Sequence, residues 1–420
     1  MGQKIQAIRG MNDILPQQTP LWQFFENKVA ELAKRYVYQE IRLPVLEKTA
    51  LFARSVGEVT DIVEKEMYTF NDRSNESLTL RPEGTAGCVR AALQHGLLHN
   101  QIQKVWYMGP IFRYERPQKG RYRQFHQIGF EAFGMATAEI DVELIAMTAA
   151  LWRSLGLSQY LRLELNSLGS FEERQCYREK LITYYTEHET ELDEDSKKRL
   201  HKNPMRILDS KNPEMKVINN AAPKLLDELG AESKAHFERV CKLLDNLKID
   251  YIVNPTIVRG LDYYCHTVFE WTTDKLGAQG TVCAGGRYDG LVEELGGKPT
   301  PAVGFAMGVE RVLELLQSLE LTPVLAAMAD VYFVLLGEAP SAKGLELAED
   351  LRRAKPEMNV ATDCTQASFK AQLKRADQSG AAIAIIVGED ELAQGKVTLK
   401  YLREDKPQVV INMADMLASI

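Results

Sequence analysis

A group of arginine and polar side chains falls in two strand-like runs that flank a short loop. Arg113 and Glu115 stand two residues apart in VWYMGPIFRYE, so both side chains share one face of a strand. In RQFHQIGFEAFG, the residues Phe125, Gln127 and Glu131 also share one parity. The two runs predict a long antiparallel hairpin. One face of it would offer a guanidinium group for a phosphate, an aromatic ring for a base, and polar side chains.

The loop between the two runs is basic, with Arg116, Lys119, Arg121 and Arg123 close together. The loop charges alone fit an ordinary edge hairpin with solvated side chains equally well. The combination of the loop with the polar strand face favours an anionic ligand.

A second motif, LRPEGT, joins a rigid turn to the predicted start of a helix. Pro82 and Gly84 fix the turn, Thr85 lies near the helix start, and Glu83 is aimed at whatever faces it. A carboxylate held in this way suits an ammonium group. Taken alone, the motif is better explained by an acidic residue that complements the helix dipole.

Three further motifs combine glycine with charge. In VRGLDYY, Arg259 precedes a glycine turn, and the motif alone would be a surface turn. The turn in AGGRYDGL lets a ligand approach the backbone, although it is neither GxGxxG nor a P-loop. In GFAMGVER, Arg311 lies in the first turns of a helix, where a cation opposes the dipole. An anionic ligand or simple exposure to solvent would explain it.

The six cysteines and seven histidines show no CxxC, HxH or HExxH pattern, so neither a zinc-type metal site nor a disulfide framework is predicted. No apolar run reaches about eighteen residues, and the N-terminal residues lack the apolar core of a signal peptide. These observations predict a cytoplasmic protein with no membrane association. The net charge of −7 argues against a basic coat for nucleic acid, but leaves room for a local basic surface.

Periodicity predicts the elements that position these motifs. Apolar residues at helical spacing predict helices over 20–36, 84–94 and 138–155. Dense charges and helix-forming residues predict a helical insertion over 170–250. Beyond a boundary near 321–328, alternating strands and helices predict a small α/β domain with a mainly parallel sheet.

Taken together, the motifs resemble those of the bacterial-type histidyl-tRNA synthetases, a family of class II aminoacyl-tRNA synthetases. FRYERPQKGRYRQFHQIGFEAFG resembles motif 2, LPVLEKTALFARSVG resembles motif 1 of the dimer interface, and GFAMGVER resembles motif 3. RGLDYY and AGGRYDGL resemble the peptides that distinguish the histidine enzymes within the class. The resemblance covers essentially the whole chain.

The resemblance implies an α+β fold. A class II catalytic domain with an antiparallel sheet would span 1–325 and contain the helical insertion at 170–250. A C-terminal α/β anticodon-binding domain would span 330–420. It also implies a homodimer that uses ATP, Mg²⁺, histidine and the histidine tRNA.

The resemblance further implies a reaction in which the histidine carboxylate attacks the α-phosphate of ATP, and histidine then passes to the 3′ end of the tRNA. Arg113 and Arg259 would act on the α-phosphate. The implied ATP-binding residues are Arg113, Glu115, Arg121, Phe125 and Arg311. The implied histidine-binding residues are Glu83, Thr85, Gln127, Glu131, Tyr264 and Arg259. The tRNA acceptor end would meet Arg116 and Gln118.

Two alternatives have the same kind of catalytic fold. Regulatory subunits of ATP phosphoribosyltransferase bind histidine without aminoacylation, but they typically lack the C-terminal domain and arginines that this chain keeps. A class II synthetase for threonine or proline is opposed by RGLDYY and AGGRYDGL, and the threonine enzyme also by the missing zinc ligands.

Overall fold

The computed structural model describes residues 4–56, 62–208, 210, 212–257, 261–277, 280–323 and 327–420. They form two compact units, of which the first ends at Pro323 and the second follows it. Within these residues, no helix is both long and apolar enough to cross a bilayer.

The strands of the first unit are β1 (Gln39–Glu40), β2 (Leu46–Lys48), β3 (Tyr68–Asn71), β4 (Ser77–Leu80), β5 (Gln103–Phe112), β6 (Gln124–Phe133), β7 (Arg162–Ser167), β8 (Ile252–Val253), β9 (Cys265–Thr272), β10 (Thr281–Arg287) and β11 (Ala302–Gly308). Its helices are α1 (Thr19–Arg35), α2 (Thr49–Val56), α3 (Thr85–Gln94), α4 (Ala138–Ser154), α5 (Phe171–Glu187), α6 (Glu194–Arg199), α7 (Met205–Leu208), α8 (Met215–Ala221), α9 (Ala231–Asn246), α10 (Leu291–Glu294) and α11 (Val309–Ser318).

Eight strands form the large sheet, in the order β1-β5-β6-β11-β10-β9-β7-β8. The central pairs are antiparallel, whereas β1 and β8 pair in parallel at the two edges. A smaller sheet has the order β2-β4-β3. This architecture confirms the predicted antiparallel core, and strands β5 and β6 are the predicted hairpin.

One face of the large sheet is covered by helices because its side chains are aromatic and aliphatic. Phe130 of β6 stacks on Phe305 of β11 with ring centroids 5.0 Å apart. Helix α1 places Phe25 and Val29 in the same core, at the spacing that brings side chains to one side of a helix. Helices α4 and α11 complete this layer. Successive residues of a strand point to opposite faces, so the neighbours of Phe130 point away from this core.

Helices α5 to α9 occupy the segment for which a helical insertion is predicted. Helix α5 begins with a capping box in which Ser170 and Glu173 each accept a hydrogen bond from the other's backbone amide. Helix α9 packs on α4 and buries Val240 and Leu244 in the main core.

The second unit contains β12 (Val331–Leu335), α12 (Glu338–Ala354), β13 (Val360–Thr362), α13 (Phe369–Gln378), β14 (Ile383–Val387), α14 (Glu389–Ala393), β15 (Lys396–Tyr401), β16 (Val409–Asn412) and α15 (Met416–Ser419). Its sheet has the order β13-β12-β14-β15-β16. Strands β13, β12 and β14 are parallel, but β15 and β16 are antiparallel additions.

The prediction of a mainly parallel sheet is therefore wrong, because this sheet is mixed. The connection from β15 to β16 covers only 402–408. A parallel pair needs a crossover of about a dozen residues or more, so a link this short permits only a hairpin.

Candidate active site

A cavity of about 300 Å³ lies over strands β6, β10 and β11 of the large sheet. The predicted residues that line it are Glu83, Thr85, Arg113, Glu115, Arg121, Phe125, Gln127, Glu131, Tyr264 and Arg311. The hairpin supplies the larger part of this set, because alternate residues of β6 and the segment after β5 face the same side.

Two of the other predicted residues do not line the cavity. Arg116 and Gln118 are exposed in the loop between β5 and β6. That loop turns tightly, because the amides of Gln118 and Arg121 each donate to the other's carbonyl, at 3.0 and 2.9 Å. Arg259 lies outside the described residues.

Three arginines of the cavity interact electrostatically. Burial lowers the pKa of Arg311 from its ordinary value, and the positive charges of Arg113 and Arg121 lower it further. Arg311 donates from Nε to the carbonyl of Gly120 at 3.1 Å and from Nη1 to that of Thr281 at 2.7 Å. Clustered cations repel one another, so a polyanionic ligand would stabilise this arrangement.

Two of these cations are oriented by their neighbours. Arg113 donates from Nε to the carbonyl of Pro82 at 2.8 Å, and its guanidinium carbon lies 5.5 Å from the centroid of the Phe125 ring. Arg121 forms an ion pair with Glu115. In the cavity, the Phe125 ring therefore lies beside the guanidinium group of Arg113, which is held in place by Pro82.

Glu131 is a buried acid of the cavity and is only 1% exposed. Its Oε1 accepts hydrogen bonds from the Thr85 hydroxyl at 2.8 Å and from the Tyr107 hydroxyl at 3.1 Å. Its Oε2 accepts from the Tyr288 hydroxyl. Burial raises the pKa of Glu131 to about 8, against the lowering effect of these donors and with a smaller raising effect of nearby Glu83.

Glu83 has two structural roles, one at the start of α3 and one in the cavity. Its carboxylate accepts from the backbone amides of Thr85 at 2.7 Å and Ala86 at 2.8 Å, so it caps the start of α3. This is the helix-dipole role that the motif alone favoured. The same carboxylate also lines the cavity, and burial raises its pKa.

Several residues that line the cavity were not predicted from the sequence, including Tyr107, Tyr288 and Glu270. Tyr107 stands opposite Gly129 in the hairpin, and a Cβ atom at either Gly129 or Gly84 would overlap its ring. The cross-strand register was the signal that could have found Tyr107, because it shares a face with Gln127 and Glu131. Tyr288 lies within AGGRYDGL, where the glycines predict a turn and no pattern indicates which way the tyrosine points.

Cys265, His266 and Asp289 bring three potential metal-ligand atoms within 4.8 Å of one another. Asp289 already accepts from the guanidinium group of Arg287 at 3.2 Å and from the amide of Ala302 at 2.8 Å. Burial raises the pKa of Cys265 to about 12, which keeps its thiol protonated. Metal binding requires a deprotonated ligand, so the donor set is poorly suited to an ion.

Comparisons with known proteins agree with this geometry. The family model for histidyl-tRNA synthetase matches residues 10–312, and the model for the anticodon binding domain matches residues 330–420. The apo structure of the S. aureus histidyl-tRNA synthetase is 36% identical, with a TM-score of 0.83 and 99% of each chain covered.

Two more distant structures share the fold. Histidyl-tRNA synthetase from Nostoc sp. PCC 7120 is 20% identical, with a TM-score of 0.69 and 99% of each chain covered. A Bacillus halodurans protein described as an ATP phosphoribosyltransferase regulatory subunit/histidyl-tRNA synthetase is 21% identical, with a TM-score of 0.65, and the match covers 92% of this chain and 99% of that one.

The family match spans the sheet and its cavity, and the similarity to the S. aureus enzyme extends over the second unit as well. Both confirm the predicted family, enzyme class and reaction. The chain belongs to the histidyl-tRNA synthetase family of class II aminoacyl-tRNA synthetases and is a histidine–tRNA ligase that uses ATP as a substrate.

Proposed function

We propose that histidine and ATP bind together in the cavity over β6, β10 and β11, and that Arg113 and Arg259 act on the α-phosphate. The observation that carries this proposal is the group of three guanidinium groups in the same cavity as two buried carboxylates. Attack of a carboxylate on a phosphate needs positioning and charge neutralisation rather than a protein nucleophile. Arg113, fixed through Pro82, supplies both at the phosphate under attack.

ATP binds through the cationic part of the cavity. Arg121 and Arg311 hold the β- and γ-phosphates, and the Phe125 ring stacks on the adenine. Burial and mutual repulsion already disfavour the charged state of Arg311, so a triphosphate relieves an unfavourable interaction. The ion pair between Arg121 and Glu115 opens or rearranges when the phosphates arrive, because both partners line the cavity.

Histidine binds through the acidic part of the cavity. Glu83, Thr85 and Gln127 hold its ammonium group, and Glu131 and Tyr264 contact its imidazole ring. Imidazole has two distinct nitrogens, so a carboxyl group on one side and a hydroxyl on the other read both. Such a pocket rejects analogues that leave its buried polar groups unpaired.

Mg²⁺ accompanies ATP in this proposal. The ion prefers oxygen ligands and commonly uses one or two carboxylates together with phosphate oxygens. Glu115 and Glu270 are carboxylates that line the cavity near Arg121 and Arg311, so the donor chemistry fits. They would hold the ion, which supplies charge neutralisation at the phosphates.

The tRNA contacts are assigned to two parts of the chain. Arg116 and Gln118 are exposed in the loop that borders the cavity, where they meet the acceptor end. The domain boundaries proposed are 1–325 for catalysis, with a helical insertion at 170–250, and 330–420 for the anticodon. The small net excess of acid, −7, limits non-specific nucleic-acid binding and leaves recognition to such local contacts.

We further propose a cytoplasmic homodimer that forms through the motif 1 segment. Val45 and Leu46, in and beside strand β2, are 36% and 37% exposed. They adjoin a groove in which Leu43, Leu51 and Leu93 take part. Exposed apolar side chains beside a groove are a feature of interfaces between subunits.

Phe125→Ala and Gln127→Ala provide a matched test of the two subsites, because the residues are two apart on β6 and line the same cavity. Loss of base stacking, about 1–3 kcal/mol, should raise the KM for ATP roughly 5- to 150-fold in Phe125→Ala. Loss of a hydrogen bond to a charged group, about 1.5–3 kcal/mol, should raise the KM for histidine roughly 10- to 150-fold in Gln127→Ala. Histidine-dependent exchange of pyrophosphate into ATP measures both constants. If both variants affect the KM of the same substrate, the assignment of subsites is wrong.

A further inference from the structure

A buried polar network joins helix α4 to the end of strand β10, next to a residue that lines the cavity. Its centre is Arg287, which is 1% exposed and does not line the cavity. The next residue, Tyr288, does line the cavity and donates its hydroxyl hydrogen bond to Glu131. A fully buried arginine is costly unless every part of it is paired, so its partners are informative.

Every N–H group of Arg287 has an acceptor. Nε and Nη2 donate to the two carboxylate oxygens of Asp141, at 3.4 and 2.5 Å. Nη2 also donates to the carbonyl of Thr137 at 3.1 Å. Nη1 donates to the carbonyl of Met135 at 3.0 Å and to Oδ1 of Asp289 at 3.2 Å. A guanidinium group has five such donors, and complete pairing of them permits little reorientation.

Asp141 is held equally firmly. It lies on α4, is fully buried, and its Oδ2 accepts from the Thr267 hydroxyl at 2.9 Å. The same oxygen lies 2.7 Å from Nε2 of His236 on helix α9. Asp141 therefore connects α4, α9 and strand β9 to the arginine at the end of β10.

The residues on both sides of Tyr288 are fixed by this network. Asp289 accepts from the amide of Ala302 at 2.8 Å while it accepts from Arg287. The amide of Tyr288 donates to the carbonyl of Ala302, also at 2.8 Å. The backbone of Tyr288 is thus held between β10 and β11, in the position from which its hydroxyl donates to Glu131.

We propose that Asp141 is a positioning residue for amino-acid specificity. It fixes Arg287, and through the clamped backbone of Tyr288 it orients the carboxyl group of Glu131 toward the imidazole of histidine. The proposal rests on the role assigned above to Glu131, and it deepens that role by naming what holds the side chain in place. Asp141 itself touches no substrate.

Asp141→Asn tests the proposal, with Thr148→Val as the matched control. Thr148 is on the same helix, is fully buried and accepts a hydrogen bond from Trp271 at 2.8 Å, but it has no link to Arg287. In pyrophosphate exchange, Asp141→Asn should raise the KM for histidine roughly 10- to 100-fold, as expected when a group that contacts the substrate is misplaced, and change the KM for ATP less than about twofold. Thr148→Val should lower stability and leave both constants unchanged. Equal rises in both constants for Asp141→Asn would overturn the proposal.

A double-mutant cycle with Tyr288→Phe tests whether Asp141 acts on Glu131 through the Tyr288 hydroxyl. In the Tyr288→Phe background, Asp141→Asn should raise the KM for histidine less than about twofold, because the hydroxyl through which it acts is gone. The same fold-change in both backgrounds would overturn the proposal. Thr267→Val removes one hydrogen bond to Asp141 but keeps the charges of Asp141 and Arg287, so it should raise the KM for histidine by a smaller factor. This variant tests the proposal if Asp141→Asn does not fold.

Glu131→Gln, measured in the same assay, distinguishes a failure of the proposed histidine subsite from a failure of the positioning role of Asp141. If Glu131→Gln leaves the KM for histidine unchanged, the proposed histidine subsite is wrong. If Glu131→Gln raises that constant while Asp141→Asn and Thr267→Val leave it unchanged, the subsite stands and the positioning role is refuted.

Discussion

Replacement of Glu131 by glutamine should stabilise the ligand-free protein at alkaline pH and at the same time impair the activation of histidine. Burial raises the pKa of the Glu131 carboxyl from 4.5 to about 8 in the folded chain. The folded state therefore keeps a proton that the unfolded state has already released. This contribution to stability is complete below about pH 4.5 and is lost as the pH rises towards about 8.

The magnitude follows from the size of this change in pKa. One pKa unit corresponds to about 1.4 kcal/mol, so the shift amounts to about 3–5 kcal/mol. Glutamine is neutral at every pH and has no such loss. Between about pH 5 and about pH 8, the free energy of unfolding of Glu131→Gln should rise by about 3–5 kcal/mol relative to the parent protein.

Urea unfolding followed by tryptophan fluorescence measures this difference. All four tryptophans precede residue 323, so the signal reports on the first unit alone. Glu139→Gln serves as the control, because Arg239 lowers the pKa of Glu139 and its removal should bring no gain at alkaline pH. A difference between Glu131→Gln and the parent that is the same at both pH values would refute the reasoning. Activity is measured by histidine-dependent pyrophosphate exchange, and its rate should fall sharply in Glu131→Gln.

Two further substitutions test the packing of each unit. Gly304→Ala should raise the KM for histidine and cost about 1–3 kcal/mol of stability, because the added Cβ would overlap Oε2 of Glu131; unchanged exchange kinetics would contradict this. Phe333→Ala removes a fully buried ring from the second unit and should destabilise that unit by about 3–5 kcal/mol, seen as earlier proteolysis. Its pyrophosphate exchange should be retained, because the cavity is lined by the first unit, and its loss would contradict that separation.

Local patterns were sufficient for much of the site. The alternation of RQFHQIGFEAFG predicted that Phe125, Gln127 and Glu131 share a face, and all three line the cavity. The reason is that side-chain direction in a strand depends only on parity, which any single strand carries in its own sequence. The motif resemblance then placed Thr85 and Arg311, from distant parts of the chain, in the same cavity.

Strand pairing was the part that the patterns within single strands did not reveal. The sheet of the second unit is mixed because β15 and β16 pair antiparallel with their neighbours, and the direction of pairing is not encoded within either strand. Tyr107 enters the cavity because the hairpin register sets it opposite Gly129. Both features depend on which strands are neighbours in the sheet and in which register they pair, and these are determined only when the sheet forms.

The amino-acid sequence determined which ionisable groups the cavity contains, since Glu83, Glu131 and the arginines belong to short motifs. The tertiary structure determined the protonation and the hydrogen-bond partners of these groups. Burial brought the pKa of Glu131 to about 8, and three hydroxyl groups from separate elements surrounded its carboxyl. Asp141 and Arg287 became a single buried pair although 145 intervening residues separate them. Desolvation and pairing arise only when distant segments exclude water together, and for that reason they cannot be read from any one segment.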